Sequence, residues 1–176
     1  YPKFFTSRKV HKEIVEHLLN NATWAPTHGN TQPWRFKVFM GESRSKLSNK
    51  LGDLYKKNTP KELFKDEKFE KIIARPFLSS VSIVICMERG GNEKIPEIEE
   101  IEAVACAVQN MCLTATAYGI GSFWSSPKII YNNEMNTFLK LKEKDKCLGV
   151  LYLGYPSIEW PKGQRKPIEY ITDWNE

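Results

Sequence analysis

The chain has 176 residues, with 26 Lys and Arg against 21 Asp and Glu and a formal net charge of +5. A chain of this length forms one domain and buries about 70% of the surface its unfolded form exposes, so it needs no disulfide or metal staple. A composition of 41% hydrophobic, 27% charged and 12% aromatic residues excludes disordered, collagen-like and coiled-coil chains, and no run of 18 apolar residues is present to span a membrane.

We therefore expect a single domain over residues 1–176, with little room to enclose a large cofactor alone. Lys56-Lys57 and the Lys140 to Lys146 stretch read as solvated faces interleaved with acids, and no basic stripe for nucleic acid emerges. The start, Tyr1-Pro2-Lys3-Phe4-Phe5, has no signal-peptide character and no initiator Met. Cys86, Cys106, Cys112 and Cys147 form no CxxC and no zinc spacing. Their apolar contexts suggest buried, reduced thiols in a cytoplasmic protein.

In chain order, Ile14, Val15, Leu18, Leu19 and Ala22 predict an amphipathic helix over roughly 11–23, ended by Pro26. Residues 25–33 form a polar loop, and Arg35 to Met40 alternates as a strand. Helical spacing returns over 43–57 and 61–74. Ser80 to Met87 is continuously apolar and β-branched, as a strand covered on both faces is. Residues 97–118 carry apolar side chains almost all round, which predicts a central helix, with Gly119 as its stop. A short strand at 120–124, a short helix at 132–141, a strand at 147–153 and an extended, proline-containing tail complete the chain. The fold class is α+β with three layers.

Of the three histidines, His11 and His17 are six apart and do not share a helix face, and no HExxH, GxSxG or Walker motif is present. Gly119-Ile120-Gly121 follows a helix where a dinucleotide fingerprint precedes one. No catalytic side chain and no metal-ligand set emerges, so a cofactor would carry any difficult chemistry.

Three segments stand out. The loop Trp24 to Phe36 packs Thr27, His28, Asn30, Thr31 and Gln32 between two prolines; such a loop needs partners for its polar groups, and it also reads as an ordinary helix-to-strand turn. Gly119 to Pro127 offers glycines for close backbone approach followed by Trp124, Ser125 and Ser126, and it equally reads as a helix cap and an edge strand. The tail Lys162 to Pro167 holds three cations suited to a phosphate, or is simply solvated.

Taken together, the ordered set of W-A-P-T-x-x-N-x-Q-P-W-x-F at Trp24 to Phe36, a long helix ending in G-x-G at Gly121, L-x-x-G-Y-P at Leu151 to Pro156, and Arg165-Lys166-Pro167 resembles the nitroreductase family over nearly the whole chain, and its minimal bacterial members most. The resemblance implies a mostly antiparallel central sheet flanked by helices, with a long buried core helix. It implies a homodimer with FMN at the interface and NAD(P)H as electron donor. The acceptor would be a nitroaromatic, a quinone or a related small molecule, reduced by a ping-pong mechanism. By position, His28, Asn30 and Gln32 match the family loop that contacts the flavin, Trp124, Ser125 and Ser126 match a second flavin-contacting segment, and Arg165 and Lys166 match cations near its phosphate. Thr114 to Gly119 would lie near the nicotinamide donor. The Arg-Arg-Ser/Thr element with which the family grips the phosphate would fall just upstream of Tyr1. Other chemistries of the same fold, dehalogenation or flavin destruction, usually add a lid, for which the 41–75 helical pair could partly serve. A flavin-binding module without turnover is the remaining alternative.

Overall fold

The computed structural model describes residues 5–159 and 163–175. Tyr1 to Phe4 and the tail's Lys162 lie outside the described residues. Five α-helices, α1 (Lys12–Ala22), α2 (Arg44–Asn58), α3 (Asp66–Leu78), α4 (Glu97–Ala117) and α5 (Asn133–Phe138), accompany four strands, β1 (Trp34–Met40), β2 (Val81–Met87), β3 (Gly121–Ser125) and β4 (Lys146–Gly154).

The strands form one sheet in the order β1-β2-β4-β3, with every pairing antiparallel. β2 is buried along its whole length, and its period-2 alternation divides the core. Val81, Ile83, Ile85 and Met87 face α1 and α4, together with Val15, Leu18, Val104, Val108 and Met111. Val84 and Cys86 face the opposite layer, with Leu47, Leu51, Leu54 and Tyr55 of α2 and Met135 of α5. The expected three layers are therefore present, and the continuous apolar run of β2 is explained by cover on both faces.

The helix ends follow local chemistry. Gly119 at φ 67° closes α4: its N–H bonds Thr116 O at 2.9 Å and that of Ile120 bonds Ala115 O at 2.8 Å, the paired geometry of a Schellman cap. Asn132 caps α5 through Met135 N at 2.9 Å. Three expectations shift. α1 stops at Ala22, ahead of Pro26, where Thr23 Oγ1 bonds Asn20 O at 2.7 Å. The helix expected over 61–74 is a single 3-10 turn at Lys61–Leu63 followed by α3, which runs through Pro76. Pro76 forgoes one i→i−4 hydrogen bond, that to the Ile72 carbonyl, and the helix ends two residues beyond it at Leu78. Finally, α2 and α3 are not a free lid, because α2 buries Leu47, Leu51 and Leu54 against the sheet and Gly52 lies close under Phe69 and Ile73 of α3.

The thiols also divide. Cys86 and Cys147 are buried and face each other across β2 and β4, whereas Cys112 is half-buried and Cys106 is exposed. The reason is α4 itself. It buries one stripe, Ala103, Val104, Ala107, Val108, Met111 and Ala115, and leaves Ile98 and Leu113 58% and 60% exposed on the rest of its surface. The all-round apolar pattern thus includes a face with no partner in the single chain.

Candidate functional site

The loop between α1 and β1 is held in an unusual backbone conformation. After a 3-10 turn at His28–Asn30, Gly29, Asn30 and Gln32 have φ of 56°, 52° and 46°. The left-handed region costs an L-residue with a Cβ about 1–2 kcal/mol, and such strain concentrates where a backbone is committed to a ligand. Here the strained residues include two of the three predicted from this loop.

Their surroundings over-determine the shape. Gln32 Nε2 donates to Asn30 Oδ1 at 3.0 Å, and Gln32 N to Thr27 Oγ1 at 3.2 Å. Arg35 Nη1 donates to the Gln32 and Trp34 carbonyls at 3.0 and 2.8 Å, while its Nε and Nη2 grip both oxygens of Glu88. Behind the loop, a Cβ on Gly29 would lie 2.9 Å from Ile95 Cδ1. Ile95 is itself fixed: its carbonyl accepts from Arg89 Nη2 at 2.7 Å, and Arg89 pairs at 2.5 Å with Glu100, which is 1% exposed. His28 turns to α4, where its Nδ1 meets Glu99 Oε2.

The second predicted segment ends β3 and is split by the pleat. Trp124 and Ser126 line one cavity of about 410 Å³ with Ile101 and Ala105 of α4, Tyr131 and Leu148, and Trp124 Nε1 donates to Leu148 O at 3.2 Å. Ser125 points to the other face of the sheet, since successive side chains alternate. There its Oγ accepts from Arg75 Nη1 at 3.0 Å. Arg75 lines a cavity of about 340 Å³ with Phe5, Leu78, Phe123 and Tyr152, and its guanidinium lies 5.9 Å from the Phe123 ring centroid. Burial pushes the Tyr152 hydroxyl up to about 12, against the opposing effect of the Arg75 charge.

Arg75 escapes a sequence reading. On an amphipathic helix it looks like a solvated cation, and only the packing of α3 under β3 brings it to Ser125, 50 residues away. The one available signal was its place a turn before the buried Ser79 at the helix end.

The structure does not bring all predicted residues together. With about 100° per residue along a helix, Ile101 and Ala105 lie about 200° and 240° round α4 from Glu99. The His28–Gln32 loop therefore rests on one flank of α4 and Trp124 on another. Thr114 to Gly119 lead into the opposite end of β3, about 13 Å from Ser125 at 3.3 Å per residue. Thr114 is occupied there, accepting from Asn21 Nδ2 at 3.0 Å and donating to Asn110 O at 2.8 Å. Arg165 and Lys166 lie on an exposed tail, where Arg165 Nη1 bonds the neighbouring Gln164 carbonyl at 2.8 Å.

A layered α+β sheet with this loop before β1 and this turn after β3 defines a class that comparison makes definite. The model of the Nitroreductase family matches residues 2–155, and the chain belongs to that family. YdjA of Escherichia coli (strain K12), named as a candidate NAD(P)H nitroreductase, is 29% identical over 147 residues, covering 84% of this chain and 78% of its own length. YfhC of Bacillus subtilis (strain 168), named likewise, is 27% identical over 167 residues, 93% of this chain and 84% of its own. Among solved structures, a nitroreductase-like family protein from Bacillus cereus superposes with a TM-score of 0.83 at 29% identity, over 99% of this chain and 90% of that one. A Desulfovibrio desulfuricans protein solved in complex with FMN shares the fold at a TM-score of 0.70 and 24% identity, over 99% and 91% of the two chains.

Proposed function

We propose that the protein is an FMN-dependent oxidoreductase that takes reducing equivalents from NAD(P)H and passes them to a nitroaromatic, quinone or related acceptor, with flavin bound between two copies of the chain. A flavin asks for an apolar wall, polar groups for its ring edge, and cations for its phosphate. Phe123 and Leu78 supply the wall, Arg75 and Ser125 a fixed donor pair, and Asn30 and Gln32 a preformed amide pair. Arg165 and Lys166 supply cations on an exposed arm. The residues fit the group.

The observation that carries the reading is that these groups form two half-sites, the Asn30–Gln32 loop against α4 and the Arg75–Ser125 pair on the opposite face of the sheet. One chain does not close them round a single ring, and a second copy, packed through the exposed apolar residues of α4, would. FMN, when bound, supplies the hydride and electron chemistry. The protein's part is geometric and electrostatic. Arg75 would present a positive charge to a bound ring, the strained loop would offer its amides without reorganisation, and the apolar walls would limit water. No side chain is placed as acid or base. Because one site serves both half-reactions, donor leaves before acceptor enters, and double-reciprocal plots at several acceptor concentrations run parallel.

The test is the visible spectrum of the purified protein before and after NADPH under anaerobic conditions. A flavin spectrum that bleaches and is restored by a nitroaromatic is the expected result. A protein that stays colourless with added FMN overturns the proposal, and bound flavin that NADPH and NADH leave oxidised marks a module without turnover.

A further inference from the structure

A third cavity, about 280 Å³ in volume, lies under the other end of the sheet, where β1 leaves for α2 and α3 enters β2. It is lined by Thr6, Ser7, Arg8, Lys9 and Val10 of the segment before α1, by Met40, Gly41 and Arg44, and by Phe77 to Ser80. Leu78 and Ser79 form the wall it shares with the Arg75 cavity. Arg75 and Ser125 are not part of it.

Its chemistry is one-sided. Three cations line it and no carboxylate does; among the described residues none of the three takes part in an ion pair. Two are held in place. The Arg8 guanidinium lies over Tyr155, its carbon 3.9 Å from the ring centroid. Arg44 spends Nε on Gly41 O at 2.9 Å and Nη1 on Ser79 O at 2.7 Å, which leaves the two Nη2 hydrogens of its fork for another acceptor.

The hydroxyls are biased the same way. Thr6 Oγ1 already accepts from Arg8 N at 3.3 Å, and Ser80 Oγ from Val10 N at 2.7 Å, so each keeps its O–H to give. The carbonyls of Gly41 and Ser79, the natural acceptors on this wall, are taken by Arg44. The cavity thus presents donors and positive charge, beside an apolar wall of Val10, Met40, Phe77 and Leu78. Clustered like charges in a concavity repel one another unless an anion joins them.

We infer that this cavity is a binding site for a small phosphate monoester, its phosphate held by Arg8, Lys9, Arg44 and the hydroxyls of Thr6 and Ser80, its body against Val10, Met40 and Phe77. The bonding is charge-assisted and forked at Arg44. The site stands apart from the flavin reading and does not depend on it.

The test is a titration of ¹⁵N-labelled protein with inorganic phosphate and with phenyl phosphate, both as purified and after loading with one equivalent of FMN per chain, followed by amide shifts. Saturable shifts at Thr6 to Val10 and Gly41 are expected, tighter for phenyl phosphate, unchanged by FMN, and weakened by added NaCl. Lys9→Gln and Thr6→Val, in an extended segment outside any helix or strand, are expected to weaken binding about ten- to hundredfold each, as loss of one hydrogen bond to a charged group does. Absence of saturation, shifts confined to the Arg165 tail, displacement by FMN, or full affinity in both variants would overturn the site.

Discussion

Glu100 illustrates how single residues here do more than fill space. Its carboxylate is buried in α4, yet it accepts from both Arg89 Nη1 and the Gly90 amide, the latter at 3.1 Å. Breaking a buried pair leaves an uncompensated charge and costs about 3–5 kcal/mol. Glu100→Gln is therefore expected to lower urea-unfolding stability by about 3 kcal/mol and, because Arg89 anchors Ile95 behind Gly29, to loosen the His28–Gln32 loop as well. Tyr152 supplies a pH-dependent case. Burial raises its folded pKa from 10.0 to about 12, so the folded state holds the proton more tightly than the unfolded chain. Stability from this group is complete below pH 10 and is lost as pH climbs from 10 towards 12, by up to about 2–3 kcal/mol. Urea titrations from pH 9 to 11.5 should show that loss in the parent and a shallower decline in Tyr152→Phe.

At the scale of elements, the β3–β4 pair sets the Trp124–Ser126 turn. Gly149 has φ 135°, and a Cβ there would run into the Trp124 indole and approach the Ser125 carbonyl to 2.9 Å. The register shift between Ile85 and Cys86 lies directly opposite, so the bulge and the glycine are one device for seating Trp124 close to the strand. Gly149→Ala is expected to cost about 2–3 kcal/mol, or roughly 5–10 °C in Tm for a chain of this size. A calorimetric scan within 1–2 °C of the parent, on the same scale of sensitivity, would contradict this account. The element types and their order were readable from the sequence, α1 and α2 from helical spacing, β2 from a continuous β-branched run and α4 from the length of its apolar pattern. Their limits were not. Pro76 inside α3 and the 3-10 turn at Lys61–Leu63 depend on which carbonyls neighbouring segments can satisfy, and that is a tertiary matter.

For the molecule as a whole, the unpaired surface is the informative part. Ile98 and Leu113 on α4, and Ile168, Tyr170, Ile171 and Trp174 on the tail, are all more than half exposed, and large apolar side chains left on the surface are where a partner packs. Leu113→Asp is expected to shift the sedimentation coefficient from that of a dimer to that of a monomer and to release flavin with it, because the half-sites then separate. A parent protein that sediments as a monomer while retaining flavin would refute the shared site.

Periodicity and residue type alone were enough for the three layers, the covered central strand and the long helix with its glycine stop. These are local properties, written in steps of 2 and 3.6 residues and in the conformational limits of glycine and proline. The pleat that sends Ser125 to the face opposite Trp124, the arrival of Arg75 beneath it, the separation of the His28–Gln32 loop from both, and the gathering of Arg8, Lys9 and Arg44 round one cavity were decided by packing. Each depends on which residues, 35 positions apart in the chain for Arg44–Ser79 and 71 for His28–Glu99, are brought together, and no local pattern encodes that meeting.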